Sequence, residues 1–562
     1  MKPFPARSFI QVHYHNRPGG ANKVIGYYAE AHAEAHAQIC SKASIQSSFS
    51  NLIICKNDLK NGYSFPAGSI RNIPECDYRS FPTKDVFLKT REVLIRKLMA
   101  IIHSDGVLKP LCVVGHNLNL GKNCALSSAF AHCARLCENG TDDVRFFSII
   151  HDFAEEGRSD CLEQINSLRD LGIDIWDDLY PKTNNLRFVA PNKRNYTLLK
   201  KSGFNVDLLA NPVETEKVKR RGIVQERRIA VKKLISYSKR QHTPFDPALP
   251  TLFYPARVIS RKNIIEALLV SSIICKVNLL VGKCGPSAAH RALYSKIRKL
   301  CVKYKAPVVF DCSEPFAPKK SKNGFPSILF DVADACISTS IAEGFGYAFY
   351  EPWANNRYII GRRPMDFSPV PGMKFPCLYA RMPIPVSWIP IDDCVRKYFD
   401  RMRQYYHVGN LKPFSSFAKF KTVFEATFIK NNTIDFACLD ETTQLDVVQS
   451  LMESQSMVEE WERLCGKELK QIRDAIKIGL QPRQSLVQSN RNTIKKKISG
   501  ESFAKNFARC FFKALPKVVP KNHFKEIAKY FGDLSRFRLL MTPEPPYPMV
   551  HAQFTRANEH QA

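Results

Sequence analysis

The feature that most constrains this chain is a rhythm. Short β-branched or apolar runs alternate with helical stretches, first at 9–14, 52–55, 111–114, 146–150, 188–190 and 206–209, and again at 252–254, 277–281, 308–310, 335–338 and 358–360. Strand, helix, strand in that order is the βαβ pattern of a parallel sheet with helices on its faces. The 562 residues exceed what one hydrophobic core usually holds, so the two series are read as two doubly wound lobes. No sequence repeat links them.

Between the series lies a stretch rich in Lys and Arg that ends in Thr-Pro-Phe-Asp-Pro-Ala-Leu-Pro, where prolines oppose regular structure. This divides the chain into a first Rossmann-like lobe at 1–225, a basic linker at 226–250 and a second Rossmann-like lobe at 251–375. Helical patterns with weak strand signals follow at 376–540, and a proline-rich irregular tail at 541–562. The fold class expected is α/β, with a helical C-terminal addition.

Lys and Arg number 83 against 52 Asp and Glu, for a formal charge of +31. That favours anionic ligands in general without choosing among nucleotides, nucleic acid and acidic lipid. The 18 cysteines contain no Cys-x-x-Cys pair and sit in apolar surroundings, the usage of a reducing cytosol. The first residues lack a signal-peptide core, and the apolar region at 264–281 is broken by Glu266 and Lys276. A cytoplasmic protein, with peripheral membrane contact open, is the expectation.

Three segments carry chemistry. In the first, Arg17-Pro-Gly-Gly-Ala-Asn-Lys23 follows the first strand and opens a helix. There Gly19 and Gly20 let backbone N–H groups approach an anion. In the second, 254–268, Arg257 and Lys262 would converge beyond the carboxyl end of a strand, as a diphosphate requires. In the third, 338–361, Glu343 and Glu351 bracket Gly344-Phe345-Gly346. Two carboxylates so placed accept hydrogen bonds from a polyol while open glycine amides face the same guest.

Together these segments resemble the retaining nucleotide-sugar glycosyltransferases of family four, which have the GT-B fold of two Rossmann-like domains facing a cleft. The likeness covers most of 9–361 and is specific at the Gly-Gly loop, the Arg-plus-Lys pair and the Glu-x7-Glu segment. It implies that Arg257 and Lys262 neutralise a donor diphosphate and that Glu351 binds the ribose. Glu343 with the 344–346 amides would hold the donor sugar, and Gly19 and Gly20 would close from the other lobe. It also implies transfer with retention of configuration and no obligatory metal or cofactor. One departure is Ala256, where such proteins usually carry glycine.

His151, with Asp152 beside it, matches the histidine that these proteins direct at the donor sugar, where an imidazole can bond a hydroxyl or stabilise developing charge. The loop Gly-His-Asn-Leu-Asn-Leu-Gly-Lys-Asn at 115–123 packs His116, Asn117, Asn119 and Lys122 together. These are candidate acceptor contacts for an unknown carbohydrate, lipid or small molecule, although an Asn-rich helix-capping turn reads equally well. The histidine pairs 13/15 and 32/36 lack partners at zinc spacing. A different class stays open: 483–538 carries about fourteen basic residues against three acidic, interleaved with Phe503, Phe507 and Phe511. That is one footprint of a nucleic-acid or anionic-membrane binding protein, although aromatics four apart also make a core-facing helix stripe.

Overall fold

The computed structural model describes residues 6–17, 19–43, 48–59, 62–65, 67–138, 143–215, 223–285, 287–316, 327–408, 414–481, 483–512 and 524–541. The tail expected at 541–562 lies outside these beyond Met541, as do parts of the two basic stretches.

The first sheet contains β1 (Ser8–His15), β2 (Ser50–Lys56), β3 (Ser69–Asn72), β4 (Leu111–His116), β5 (Val144–Ile149), β6 (Leu186–Ala190) and β7 (Val206–Leu208). All pairs are parallel, in the order β3-β2-β1-β4-β5-β6-β7. The second contains β8 (Thr251–Tyr254), β9 (Asn278–Val281), β10 (Val308–Val309), β11 (Ala335–Ser338), β12 (Ile359–Arg362) and β13 (Leu378–Tyr379), also parallel, in the order β10-β9-β8-β11-β12-β13. Helices cover both faces, so central strands are apolar without alternation: every residue of β4, β8 and β11 is buried.

Two expectations about boundaries are corrected. The stretch 226–250 is mostly not a linker, because Ile223–Arg240 is a helix that packs on β10 and on the helix Ile328–Val332 of the second lobe. Ala230 and Leu234, one turn apart, are buried while the basic residues face outward, and the Gln241 side chain bonds both backbone groups of Phe310. The second sheet also runs past residue 375, since β13 extends it and β14 (Pro383–Pro385) pairs antiparallel with β15 (Thr433–Asp435) beyond it.

Two C-terminal segments tie the lobes together. The helix Gly500–Phe511 lies along the first-lobe helix Gly20–Ala43. Phe503, Phe507 and Phe511 line its buried face, with ring centroids 5.1 to 5.5 Å from Tyr28 or Phe9. Each such ring contributes about 2 kcal/mol by burial, and none is left on the surface as a stacking platform. The helix Phe524–Phe531 and the turns after it run along the seam. Phe531 meets Phe153 at 5.4 Å, Arg536 lies 3.4 Å from Asp366, and Leu540 packs with Ile341 of the second lobe.

Candidate functional site

In both sheets the strand order reverses next to the strand that starts the series, at β1/β4 and at β8/β11. Open parallel sheets bind ligands outside their carboxyl ends at such switch points. The loops leaving β8 and β11 hold the second and third motifs, and those leaving β1, β4 and β5 hold the remaining candidates.

After β8 the chain makes a single turn at Ser260–Lys262, and Asn263, at φ 52°, starts the next helix. The Tyr254 hydroxyl and the Thr339 hydroxyl both donate to the Lys262 carbonyl, which fixes this turn against β8 and the loop after β11. The helix that follows is anchored by Glu266, fully buried, to which Arg362 donates two bonds of 3.0 Å and Tyr379 one of 2.7 Å. Arg362 also pairs with Asp435 at 2.6 Å. The turn is thereby held from below by a satisfied charge network.

Lys262 Nζ donates to Glu343 Oε1, with Arg261 Nη1 at 3.9 Å from the other oxygen. Burial would raise Glu343, but the two cations outweigh it and hold its carboxyl below the ordinary range. Burial lowers Lys262, and Glu343 offsets only part of that. Arg257, expected to pair with Lys262, is exposed just past β8. Arg261, which the sequence reading passed over, makes the second contact to Glu343. Its adjacency to Lys262 was the signal available.

The Glu343-Gly344-Phe345-Gly346 loop reaches the first lobe. A β-carbon on Gly344 would stand 2.7 Å from Asp152 Oδ1 and 2.8 Å from the His151 carbonyl oxygen, so only glycine permits this approach. Asn192, just past β6, donates to the Gly344 carbonyl at 2.8 Å. Gly346 has φ 83° and opens the helix Tyr347–Ala354, on which Glu351 sits. Glu351 meets Lys23 of the Gly-Gly motif at 3.4 Å, and burial lifts its carboxyl above the ordinary value against the pull of Lys23. Gly19 and Gly20 are exposed; nothing lies within 3.9 Å of a β-carbon built on either, so packing does not require glycine there. A narrow crevice lies between the lobes, lined by Asn192, Arg194, Glu343, Gly344, Phe345 and Asp366 among others.

His151 and Asp152 follow β5. His151 is 8 % exposed, and burial holds its imidazole down at about 4, so it is neutral near pH 7. Its Nε2 has no hydrogen-bond partner among the described residues. Asp152 is paired with Arg158 at 2.8 Å; burial opposes its ionisation, but Arg158, then Arg261 from the facing lobe, keep it far below the usual range. In the 115–123 loop, the Asn117 side chain accepts the His151 N–H at 2.8 Å and Asn119 donates to the Asp152 carbonyl at 2.9 Å. His116 is fully buried and bonded to Gln11. Asn117 and Asn119 therefore brace the turn at His151 and Asp152 from within, whereas Lys122 is partly exposed, 4.6 Å above the Tyr78 ring. Among the described residues no group of three His, Cys, Asp or Glu side chains is arranged to hold a metal ion, and no helix is long and apolar enough to cross a membrane.

Two doubly wound lobes that face each other across their carboxyl edges, joined by a late helix returning to the first, form the GT-B arrangement. The fold implied by the family resemblance is the fold found. No family profile matches the chain. It is 26% identical over 397 residues to the mannosylglucosyl-3-phosphoglycerate synthase of Petrotoga mobilis, which covers 70% of this chain and 72% of that protein. Among solved structures it is similar to a sucrose-phosphate synthase from Thermosynechococcus elongatus (12% identity, TM-score 0.48, 90% of this chain and 98% of that one). It is likewise similar to the trehalose-6-phosphate synthase OtsA (11%, 0.46, 92% and 100%).

Proposed function

We propose that this chain is a glycosyltransferase that moves a sugar from a nucleoside-diphosphate donor to an acceptor hydroxyl at the seam between its lobes. The observation that carries this reading is the Glu343–Lys262–Arg261 cluster at the switch point of the second sheet, set against His151 and Asp152 of the first. Departure of the nucleoside diphosphate puts negative charge on the β-phosphate. Arg261 and Lys262, with Arg257 at the same strand end, stabilise it from preorganised positions. They do what a divalent cation does elsewhere, so no metal is obligatory on this reading, and turnover should survive EDTA.

Glu343 accepts hydrogen bonds from the donor sugar alongside the 344–346 amides. Glu351 receives the ribose hydroxyls, its raised affinity for a proton making it receptive to donors. Neutral His151 offers Nε2 to a sugar hydroxyl or to the charge that develops at the reacting carbon. Close approach of the lobes through Gly344 excludes water that would hydrolyse the donor. On the family-four resemblance, transfer retains anomeric configuration. The acceptor enters over the first lobe, past the 115–123 loop, and is a carbohydrate, lipid or small molecule; the protein acts in the cytoplasm.

The experiment is a panel of nucleotide sugars assayed for release of nucleoside diphosphate, with the anomer of the product read by NMR. Activity with one of them that disappears in Glu343→Ala, while the variant still folds cooperatively with the wild-type circular dichroism, supports the reading. Full turnover by that variant sinks it.

A further inference from the structure

The first lobe has its own switch point, between β1 and β4, and the side chains there are of an unusual kind. His13 and His15 project from β1, His116 from the end of β4 and His151 from just past β5. Ring centroids lie 5.7 Å apart for the 13/15 pair, 6.5 Å for 13/116 and 5.9 Å for 116/151, the last pair stacked. Tyr78 closes on His15 at 4.8 Å and lies beneath the Lys122 ammonium.

Carboxylates near the cluster are engaged elsewhere: Asp77 is bound by Arg17 and Asp152 by Arg158. The carboxylate contact of Lys122, to half-exposed Asp160, is long at 3.7 Å. Among the described residues, His116 Nδ1 and His151 Nε2 are buried with no hydrogen-bond partner, and polar nitrogens left so call for a ligand or water that completes them. A neutral sugar hydroxyl would satisfy one such nitrogen. It would give no use to a loosely paired ammonium held in place by an aromatic ring, nor to imidazoles gathered at a ligand-binding strand end.

Resting on the glycosyltransferase reading, the geometry points to an acceptor that carries a phosphate monoester, with the phosphate seated between Lys122, His15 and Tyr78 and the accepting hydroxyl directed toward His151. The imidazoles stay uncharged while the site is empty, which spares the lobe four crowded cations. Each neutral ring still has one N–H to donate, and a dianion beside it favours uptake of a proton from solvent. Lys122 is then the specificity residue: it touches the acceptor at a distance from the reacting atoms and distinguishes a phosphorylated molecule from its neutral counterpart.

The test is calorimetric titration of the full chain with glucose 6-phosphate, glycerol 3-phosphate and 3-phosphoglycerate, each paired with its unphosphorylated counterpart, and with inorganic phosphate alone. Titrations are run with and without saturating UDP or GDP. At least one monoester is expected to bind about tenfold or more tightly than its counterpart, and more tightly than inorganic phosphate. Lys122→Met should erase that preference without changing nucleotide affinity, and Lys122→Arg should restore most of it.

Equal binding of every pair, inorganic phosphate binding as tightly as the monoesters, or an intact preference in Lys122→Met each overturns the proposal. Failure of all nucleotides to bind would instead strike the glycosyltransferase reading, and the titrations without nucleotide would still decide the phosphate site.

Discussion

Replacing Lys262 by Met separates the two tasks that the structure gives this ammonium. Its side chain is 14% exposed and that of Glu343 8%, so the pair is effectively desolvated. Removing one partner from a fully buried pair costs about 3–5 kcal/mol. Here Arg261 remains 3.9 Å from the other Glu343 oxygen, and Met keeps most of the lysine's apolar volume. The loss should therefore fall near 2 kcal/mol, within the ~1.5–3 kcal/mol of a hydrogen bond to a charged group. For a lobe of this size that is a fall of roughly 4–8 °C in its melting transition.

Catalysis should suffer more than stability, because a preorganised donor at the developing charge is worth about 10²–10³ in kcat. Scanning calorimetry and a nucleoside-diphosphate release assay read the two effects separately. Glu343→Gln combined with Lys262→Met should lose less stability than the two single changes added together, since the pair acts as a unit. A Lys262→Met protein that melts like the wild type and turns over within about threefold of it would refute the reasoning.

Three other outcomes follow from particular contacts. Gly344→Ala places a methyl 2.8 Å from the His151 carbonyl oxygen, so it should hold the lobes apart and abolish transfer while each lobe keeps its circular dichroism; wild-type activity would contradict the contact. Phe507→Ala empties a fully buried site between the return helix and Phe9, and should cost about 3–5 kcal/mol in urea unfolding; a change below ~1 kcal/mol would mean that the return helix is not fastened there. Burial holds His13 at about 3 and His15 and His151 at about 4, whereas the unfolded chain titrates near ~6.5. The unfolded state therefore takes up protons first, and stability should fall as pH drops from about 6.5 towards 4, by up to ~1.4 kcal/mol per unit for each group. Melting curves across this range should steepen accordingly, and His13→Gln should flatten them; an unchanged slope would contradict its burial.

The strands that form the two central sheets were legible because they are buried on both faces, and burial leaves an unbroken apolar run such as Leu-Cys-Val-Val or Leu-Phe-Tyr. β3 was not: Ser-Ile-Arg-Asn at a sheet edge is mostly exposed and has no such run. The helix Ile223–Arg240 was mistaken for linker because its lysines and arginines dominate its composition, while Ala230 and Leu234 are enough to seat it. In the site, Glu343, Glu351, Lys262 and the glycines between the carboxylates stood out by residue type and spacing. What spacing could not give is which side chains converge from different lobes. Asn192 looks like an ordinary helix cap, and indeed its side chain accepts from the Asn195 N–H, yet it also bonds the Gly344 carbonyl. Asn117 and Asn119 looked like ligand contacts because amides are abundant in binding loops; the fold instead turns both inward to brace the turn at His151 and Asp152.

Hydrogen exchange measured with and without a saturating nucleoside diphosphate puts the central assignment to its most direct trial. Slowed exchange confined to the backbone at 256–263 and 341–351, and lost in Lys262→Met, is what this account predicts. Protection that instead gathers on the basic 483–538 region, or no protection by UDP, GDP or ADP anywhere in the chain, would contradict it.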